Sequence, residues 1–120
     1  MVKNRINSFK YAFKGIYAMF RSEPNARIHL VAMILVVVAG VYFSITPGQW
    51  TAVVLCIGFV FTAEAFNTAI EAIIDLVSPD QHPLAGKAKD VAAAAVLISA
   101  ITAIIVGLFV FLPEFLAVIK

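Results

Sequence analysis

One stretch of the chain carries acidic and amide side chains at intervals of three and four residues. Glu64, Asn67, Thr68, Glu71 and Asp75 follow this spacing, which places side chains on one face of an α-helix. The surrounding residues are apolar, and ionisable groups inside a membrane-spanning helix are costly unless they are paired, hydrated or bound to a cation. This line of carboxylates therefore predicts a functional site.

Carboxylates in this arrangement suit a reaction between a lipid headgroup and a reagent from the cytosol. Glu64 lies where the hydroxyl of a membrane-embedded alcohol would be found, and could act as its general base. Carboxylate oxygens are also the ligands that Mg²⁺ takes together with phosphate oxygens and water. Glu71 could supply one such ligand, and Glu23, at the start of the preceding helix, could supply another.

The segment after this helix could contribute to binding a polyphosphate. Lys87 and Lys89 add positive charge, and Gly86 would let the backbone approach a phosphate closely. The sequence contains neither a Walker-type phosphate loop nor a kinase glycine-rich loop. A nucleotide site in this chain must therefore be built from helix ends and side chains.

The composition is that of a membrane protein. Of 120 residues, 62% are hydrophobic and 13% are charged, which is far more apolar than a soluble domain. The length allows one domain, residues 1–120, with three or four spans of roughly 20 residues each. A separate soluble catalytic domain is excluded.

The N-terminal part predicts a helix that lies on the membrane surface. Over residues 1–21, apolar side chains recur at spacings of three and four, and lysines lie on another face. The segment Ser22–Asn25 breaks this helix, with Ser22 as a cap for the next helix and Pro24 in its first turn.

The rest of the chain predicts three transmembrane helices, so the expected fold is an all-α membrane protein. Thr46–Gln49 is a strong turn signal, Asp80–Asp90 is predicted to be a polar connection, and Pro113 is predicted to end the last span. The predicted spans are residues 28–45, 50–77 and 90–112, each to within a few residues.

The basic residues predict the orientation. Apart from Lys120, they all lie in the N-terminal segment and the Asp80–Asp90 connection, and cytoplasmic flanks are enriched in Lys and Arg. The N-terminus and the acidic site are therefore expected on the cytoplasmic side, and the C-terminus outside. Counting from Trp50 at about 1.5 Å per residue places Glu64 roughly 20 Å from the outer interface, within the cytoplasmic leaflet.

The same carboxylates leave a second interpretation open, in which they line a cation or proton path in an oligomeric transporter. The depth of Glu64 argues against this function, because transporters tend to bind their substrates near the bilayer midplane.

Two segments resemble the signature of the prokaryotic diacylglycerol kinase family, which includes the undecaprenol kinases. They are the run from Glu64 to Asp75 and the run from His82 to Val96. The resemblance implies a homotrimer in the bacterial cytoplasmic membrane, with composite active sites between subunits, that uses MgATP to phosphorylate a lipid hydroxyl.

Carried over position by position, the resemblance implies roles for individual residues. Glu64 is similar to the general base, Glu23 and Glu71 to the metal-binding carboxylates, and Asn67 to a polar residue that organises the site. The positions similar to the nucleotide-binding part of the family's site are Asp75, His82, Gly86, Lys89 and Asp90.

The acceptor lipid is expected to be undecaprenol rather than diacylglycerol. The segments from Phe9 to Ile16 and from Arg27 to Leu30 resemble the undecaprenol-kinase branch more than the diacylglycerol branch. Both acceptors present a primary hydroxyl at the interface, so the catalytic face alone does not separate them.

Overall fold

The computed structural model describes residues 2–120, and α-helices are the only regular secondary structure in that range. The four helices are α1 (Val2–Ser22), α2 (Pro24–Tyr42), α3 (Pro47–Val77) and α4 (Pro83–Ile119). Helices α2, α3 and α4 are each long and apolar enough to cross a membrane. The prediction of an all-α fold with three such helices is confirmed.

The chain bends sharply between α1 and α2 at Glu23. Pro24 occupies the first turn of α2, where its missing N–H costs nothing. The Ser22 hydroxyl donates to the carbonyl of Ala18 at 2.9 Å and so remains part of α1. The prediction that Ser22 caps α2 is therefore wrong: Glu23 holds the N-cap position, although its side chain makes no capping hydrogen bond.

Arg27 ties the two helices together at this bend. Its guanidinium donates from Nε to the carbonyl of Phe20 at 2.9 Å and from Nη2 to the carbonyl of Arg21 at 3.1 Å. The last carbonyls of a helix have no partner within the helix, and a cationic side chain is a favourable donor for them. This contact fixes the beginning of α2 against the end of α1.

The turn between α2 and α3 is defined by a capping box. The backbone N–H of Gln49 donates to the Thr46 hydroxyl at 3.1 Å, and the Thr46 N–H donates to the Gln49 side chain at 2.9 Å. Beside this turn, a small apolar core forms around Ile45, Val53 and Val110. The core thus lies at the end of the molecule away from the acidic face of α3.

Helices α3 and α4 run back along each other and make the most extensive helix contact of the described chain. Most of their large apolar side chains are exposed, with Phe109 at 78% and Phe59 at 63%. Such a surface needs lipid or other protein around it.

The last helix differs from the prediction at both ends. Most of the Asp80–Asp90 segment is not a loop, because α4 already begins at Pro83, and the His82 ring nitrogen Nδ1 accepts the Leu84 N–H at 3.1 Å as its cap. Pro113 does not end the helix, which continues to Ile119. A proline removes one N–H donor, a loss that helices of membrane proteins accommodate more readily than soluble ones.

The close contact between Gly40 of α2 and the Trp50 ring of α3 can be tested by substitution. A Cβ at Gly40 would lie 2.6 Å from Cη2 and 2.8 Å from Cζ2 of the Trp50 ring, so we expect Gly40→Ala to lower the free energy of unfolding by about 1–3 kcal/mol through overpacking. Thermal unfolding in detergent measures the change. Gly15→Ala is the matched control, because a Cβ there meets nothing within 4 Å. Equal stability of the two variants would contradict the packing of Trp50 on Gly40.

Candidate active site

The predicted acidic face of α3 runs from the interior of the molecule to its surface. Glu64 is fully buried and Asn67 is 7% exposed, whereas Glu71 is half-buried and Asp75 is exposed. The Thr68 hydroxyl donates to the Glu64 backbone carbonyl at 2.8 Å, so it is used within the helix. The face therefore offers one sheltered carboxylate followed by increasingly accessible ones.

Glu64 is buried without the hydrogen bonds that a buried carboxylate normally has. Within residues 2–120, neither of its carboxylate oxygens has a hydrogen-bond partner, and the same holds for the side-chain oxygen of Asn67. Among the described residues, Glu64 has an ion-pair contact with His29 on α2, whose Nε2 lies 3.4 Å from Oε1. Buried polar atoms nearly always have partners, so three orphaned acceptors in one place indicate a site that receives donors or a cation from a ligand.

Glu23 and Glu71 form a second carboxylate group beside the first. A side-chain hydrogen bond with Glu71 raises the pKa of Glu23 to about 7, and burial and the negative charges of Glu71 and Glu64 act in the same direction. A carboxyl group with this pKa is only partly ionised near neutral pH.

This pair fits a divalent cation, because a cation between the two carboxylates would offset the repulsion that contributes to the raised pKa of Glu23. Across the described residues, no three His, Cys, Asp or Glu side chains are grouped to hold a metal by themselves. Mg²⁺ commonly takes only one or two protein carboxylates and completes its shell with phosphate oxygens and water. Glu23 and Glu71 are therefore a suitable pair of ligands for Mg²⁺ that arrives with a nucleotide.

The junction of α3 and α4 contains an open polar cavity of about 610 Å³. The Lys89 ammonium donates to Asp75 at 2.6 Å across this junction. Four of the five residues that the sequence indicated for nucleotide binding line the cavity, namely Asp75, His82, Gly86 and Lys89. Asp90, the fifth, is exposed and is not among the lining residues.

An apolar groove of about 730 Å³ lies between α1, α2 and α3. Its walls include Met19 and Phe20 of α1, Leu30 of α2, and Ala65 and Phe66 of α3. Glu64 is not among the lining residues, and Ala65, which follows it in the chain, lies about 100° further around the helix. The apolar lining of the groove suits a hydrocarbon chain.

Sequence reasoning did not include His29 among the site residues. A single histidine near the start of an apolar span produces no periodic pattern, and its partner lies on another helix. The available signal was the residue type itself, since an ionisable side chain within a span usually faces a partner inside the protein.

Comparison with known proteins identifies the family of this chain. Residues 10–111 match the family described as prokaryotic diacylglycerol kinase. The chain is 39% identical to the undecaprenol kinase of Bacillus subtilis, over 93% of this chain and 94% of that protein. It is 34% identical to the diacylglycerol kinase of Escherichia coli K12, over 83% of this chain and 82% of that protein.

These matches decide between the two functions that the acidic face allowed. The relatives are named as kinases of lipid alcohols, and the matched region contains the whole acidic face of α3 and the polar cavity at its end. The chain therefore belongs to the prokaryotic diacylglycerol kinase family and is a membrane-embedded lipid kinase.

Proposed function

We propose that this protein transfers the γ-phosphoryl group of ATP to the hydroxyl of undecaprenol, and accepts diacylglycerol less well. The observation that carries the proposal is the fully buried Glu64 with two unpartnered oxygens. It lies on the same face of α3 as Glu71, which pairs with Glu23 at the start of α2. A base for the alcohol and ligands for the cation of MgATP are thereby next to each other.

In this mechanism the lipid hydroxyl donates a hydrogen bond to a free oxygen of Glu64. As the hydroxyl oxygen forms its bond to the γ-phosphorus, the bond from phosphorus to the bridging oxygen of ADP breaks, and Glu64 accepts the hydroxyl proton. Phosphoryl transfer depends mainly on positioning and charge neutralisation, so these few groups are sufficient.

Glu23 and Glu71 would hold Mg²⁺, which neutralises charge on the phosphate oxygens when it is bound. Asn67 lies one helical turn from Glu64, on the side of Glu71, and its orphaned side-chain oxygen faces the same buried region. It would accept from a donor of the bound substrates or from water on the cation. The side-chain amide thereby organises the space between base and metal.

The nucleotide would occupy the polar cavity at the end of α3. Lys89 supplies positive charge for the phosphates, and its contact with Asp75 holds it in place until they arrive. His82 and Gly86 form the beginning of α4 at this cavity, and Asp90 follows Lys89 as a further polar contact on the same helix.

The membrane arrangement that we propose has the N-terminus and the acidic site on the cytoplasmic side and the C-terminus outside. Helix α1 would lie on the cytoplasmic surface, where its basic residues meet anionic headgroups. Three chains would form a homotrimer with composite sites between subunits. The large exposed apolar surface of α3 and α4 is consistent with contact to other copies and to lipid.

The choice of undecaprenol rests on two features. The segments from Phe9 to Ile16 and from Arg27 to Leu30 resemble the undecaprenol-kinase branch, and the Bacillus subtilis relative of that name matches nearly the whole chain. The apolar groove between α1, α2 and α3 could hold isoprene units of such an acceptor.

Purified protein in lipid bicelles with Mg²⁺ and ATP labelled in the γ-phosphate provides the test of function and acceptor. We expect labelled undecaprenyl phosphate to form faster than labelled phosphatidic acid at equal mole fractions of the two alcohols. Thin-layer chromatography of the extracted lipids measures both products. Faster phosphorylation of diacylglycerol would contradict the acceptor, and no product from either alcohol with folded protein would contradict the function.

Replacement of the base is expected to stop chemistry without preventing nucleotide binding. Glu64→Gln keeps the size of the side chain but cannot accept the hydroxyl proton, so kcat should fall by about 10²–10⁴-fold, while the Kd for MgATP changes little. Glu114→Gln is the matched control, since it makes the same chemical change near the far end of α4. Turnover of Glu64→Gln at the wild-type rate would exclude Glu64 as the base.

Loss of either metal ligand should weaken nucleotide binding in a manner that depends on Mg²⁺. Glu71→Gln and Glu23→Gln are each expected to raise the Kd for ATP in the presence of Mg²⁺ by about tenfold or more, because outer-shell partners of metal sites alone contribute about that much. Titration calorimetry with and without Mg²⁺ measures the difference. If both variants bind MgATP as the Glu114→Gln protein does, the two carboxylates are not the ligands.

A further inference from the structure

We propose that His29 is a positioning residue for Glu64, and that its imidazole Nε2–H donates to Oε1 of that carboxylate while the lipid alcohol occupies Oε2. This inference rests on the proposed role of Glu64 as the base and adds to it a second protein group that orients the base for the reaction.

The imidazole of His29 lies close to the Glu64 carboxylate. Its Nε2 lies 3.4 Å from Glu64 Oε1, and the side chains are 23% and 1% exposed. Among residues 2–120, this is the contact that brings a potential donor to a carboxylate whose oxygens otherwise lack hydrogen-bond partners. A separation of 3.4 Å is longer than a well-formed hydrogen bond by about 0.5 Å, and catalytic hydrogen bonds often shorten only when the substrates are bound.

The surroundings of the His29 imidazole are otherwise apolar. His29 lines an apolar cavity of about 310 Å³ whose other walls are aliphatic and aromatic side chains together with the thiol of Cys56. Burying an imidazole against apolar side chains costs free energy unless the ring forms a hydrogen bond with a polar partner. Glu64 is the charged group within reach of it.

The start of α2 holds His29 in a fixed position. His29 lies in the second turn of α2, a helix that begins at Pro24. Arg27, two residues before it in the chain, donates hydrogen bonds to the last carbonyls of α1. A donor held by a fixed helix start can define the direction of a carboxylate on α3. With Oε1 engaged by the imidazole, Oε2 is the oxygen that can accept the proton of the lipid hydroxyl.

A purely structural ion pair would behave differently when His29 is replaced. Loss of a structural partner lowers stability, but the folded fraction keeps its kcat. Loss of a positioning group lowers kcat in folded protein and leaves the KM for MgATP unchanged, because the nucleotide lies at the other end of the acidic face. A substitution that supplies a hydrogen-bond donor of similar length should restore kcat only if His29 acts by positioning Glu64.

The test compares His29→Leu, which fills the volume without a donor, with His29→Gln, whose amide nitrogen has a reach similar to Nε2. Cys56→Ala is the control, since it alters the same cavity away from Glu64. For each variant, kcat and KM for MgATP and for the lipid alcohol are measured on protein whose thermal unfolding shows that it is folded. If His29→Leu does not fold, His29→Ala replaces it.

We expect His29→Leu to lower kcat by about 10–100-fold with the KM for MgATP unchanged, and His29→Gln to remain within about threefold of the wild type. Wild-type kcat in His29→Leu, or an equal loss in both variants, would overturn the positioning role. If the wild-type protein itself phosphorylates neither lipid alcohol, the proposed function fails instead, so the two failures are distinguishable.

Discussion

The burial of one carboxylate between helices is the constraint on which the rest of this structure depends. Glu64 is fully enclosed and neither of its oxygens has a hydrogen-bond partner among the described residues, an arrangement that costs free energy in any protein interior. A catalytic role is one physical reason for a buried polar group without partners. His29 lies close enough to offset part of this cost, and the carboxylates that follow on α3 are progressively more accessible.

Local interactions outside the Glu64 site fix the positions of the helices that carry the site residues. The capping box at Thr46 fixes where α3 begins, and therefore which residues of that helix reach the opposite end. Arg27 and Pro24 fix the start of α2 against α1, which places Glu23 beside Glu71. The Asp75 and Lys89 pair connects α3 to α4. Each element is simple, and together they gather groups from three helices into one region.

The acidic face could be predicted from sequence because helical spacing of polar residues in an apolar stretch is a strong local signal. The prediction that Pro113 ends a helix failed, because rules for proline derive mainly from helices in water. Polarity in the Asp80–Asp90 segment was interpreted as a loop, although alanine, leucine and lysine all favour helix. His29 was missed because its contact with Glu64 arises only when two helices pack.

The central claim is direct transfer of the phosphoryl group to a lipid hydroxyl whose proton Glu64 accepts. A carboxylate could instead attack phosphorus itself and form an acyl phosphate, as some ATPases do. The stereochemical course distinguishes the two, and it is measured with ATP made chiral at the γ-phosphorus by oxygen isotopes. Direct transfer predicts inversion of configuration in the lipid phosphate. Retention would show two successive transfers, and would contradict the role of Glu64 as a base.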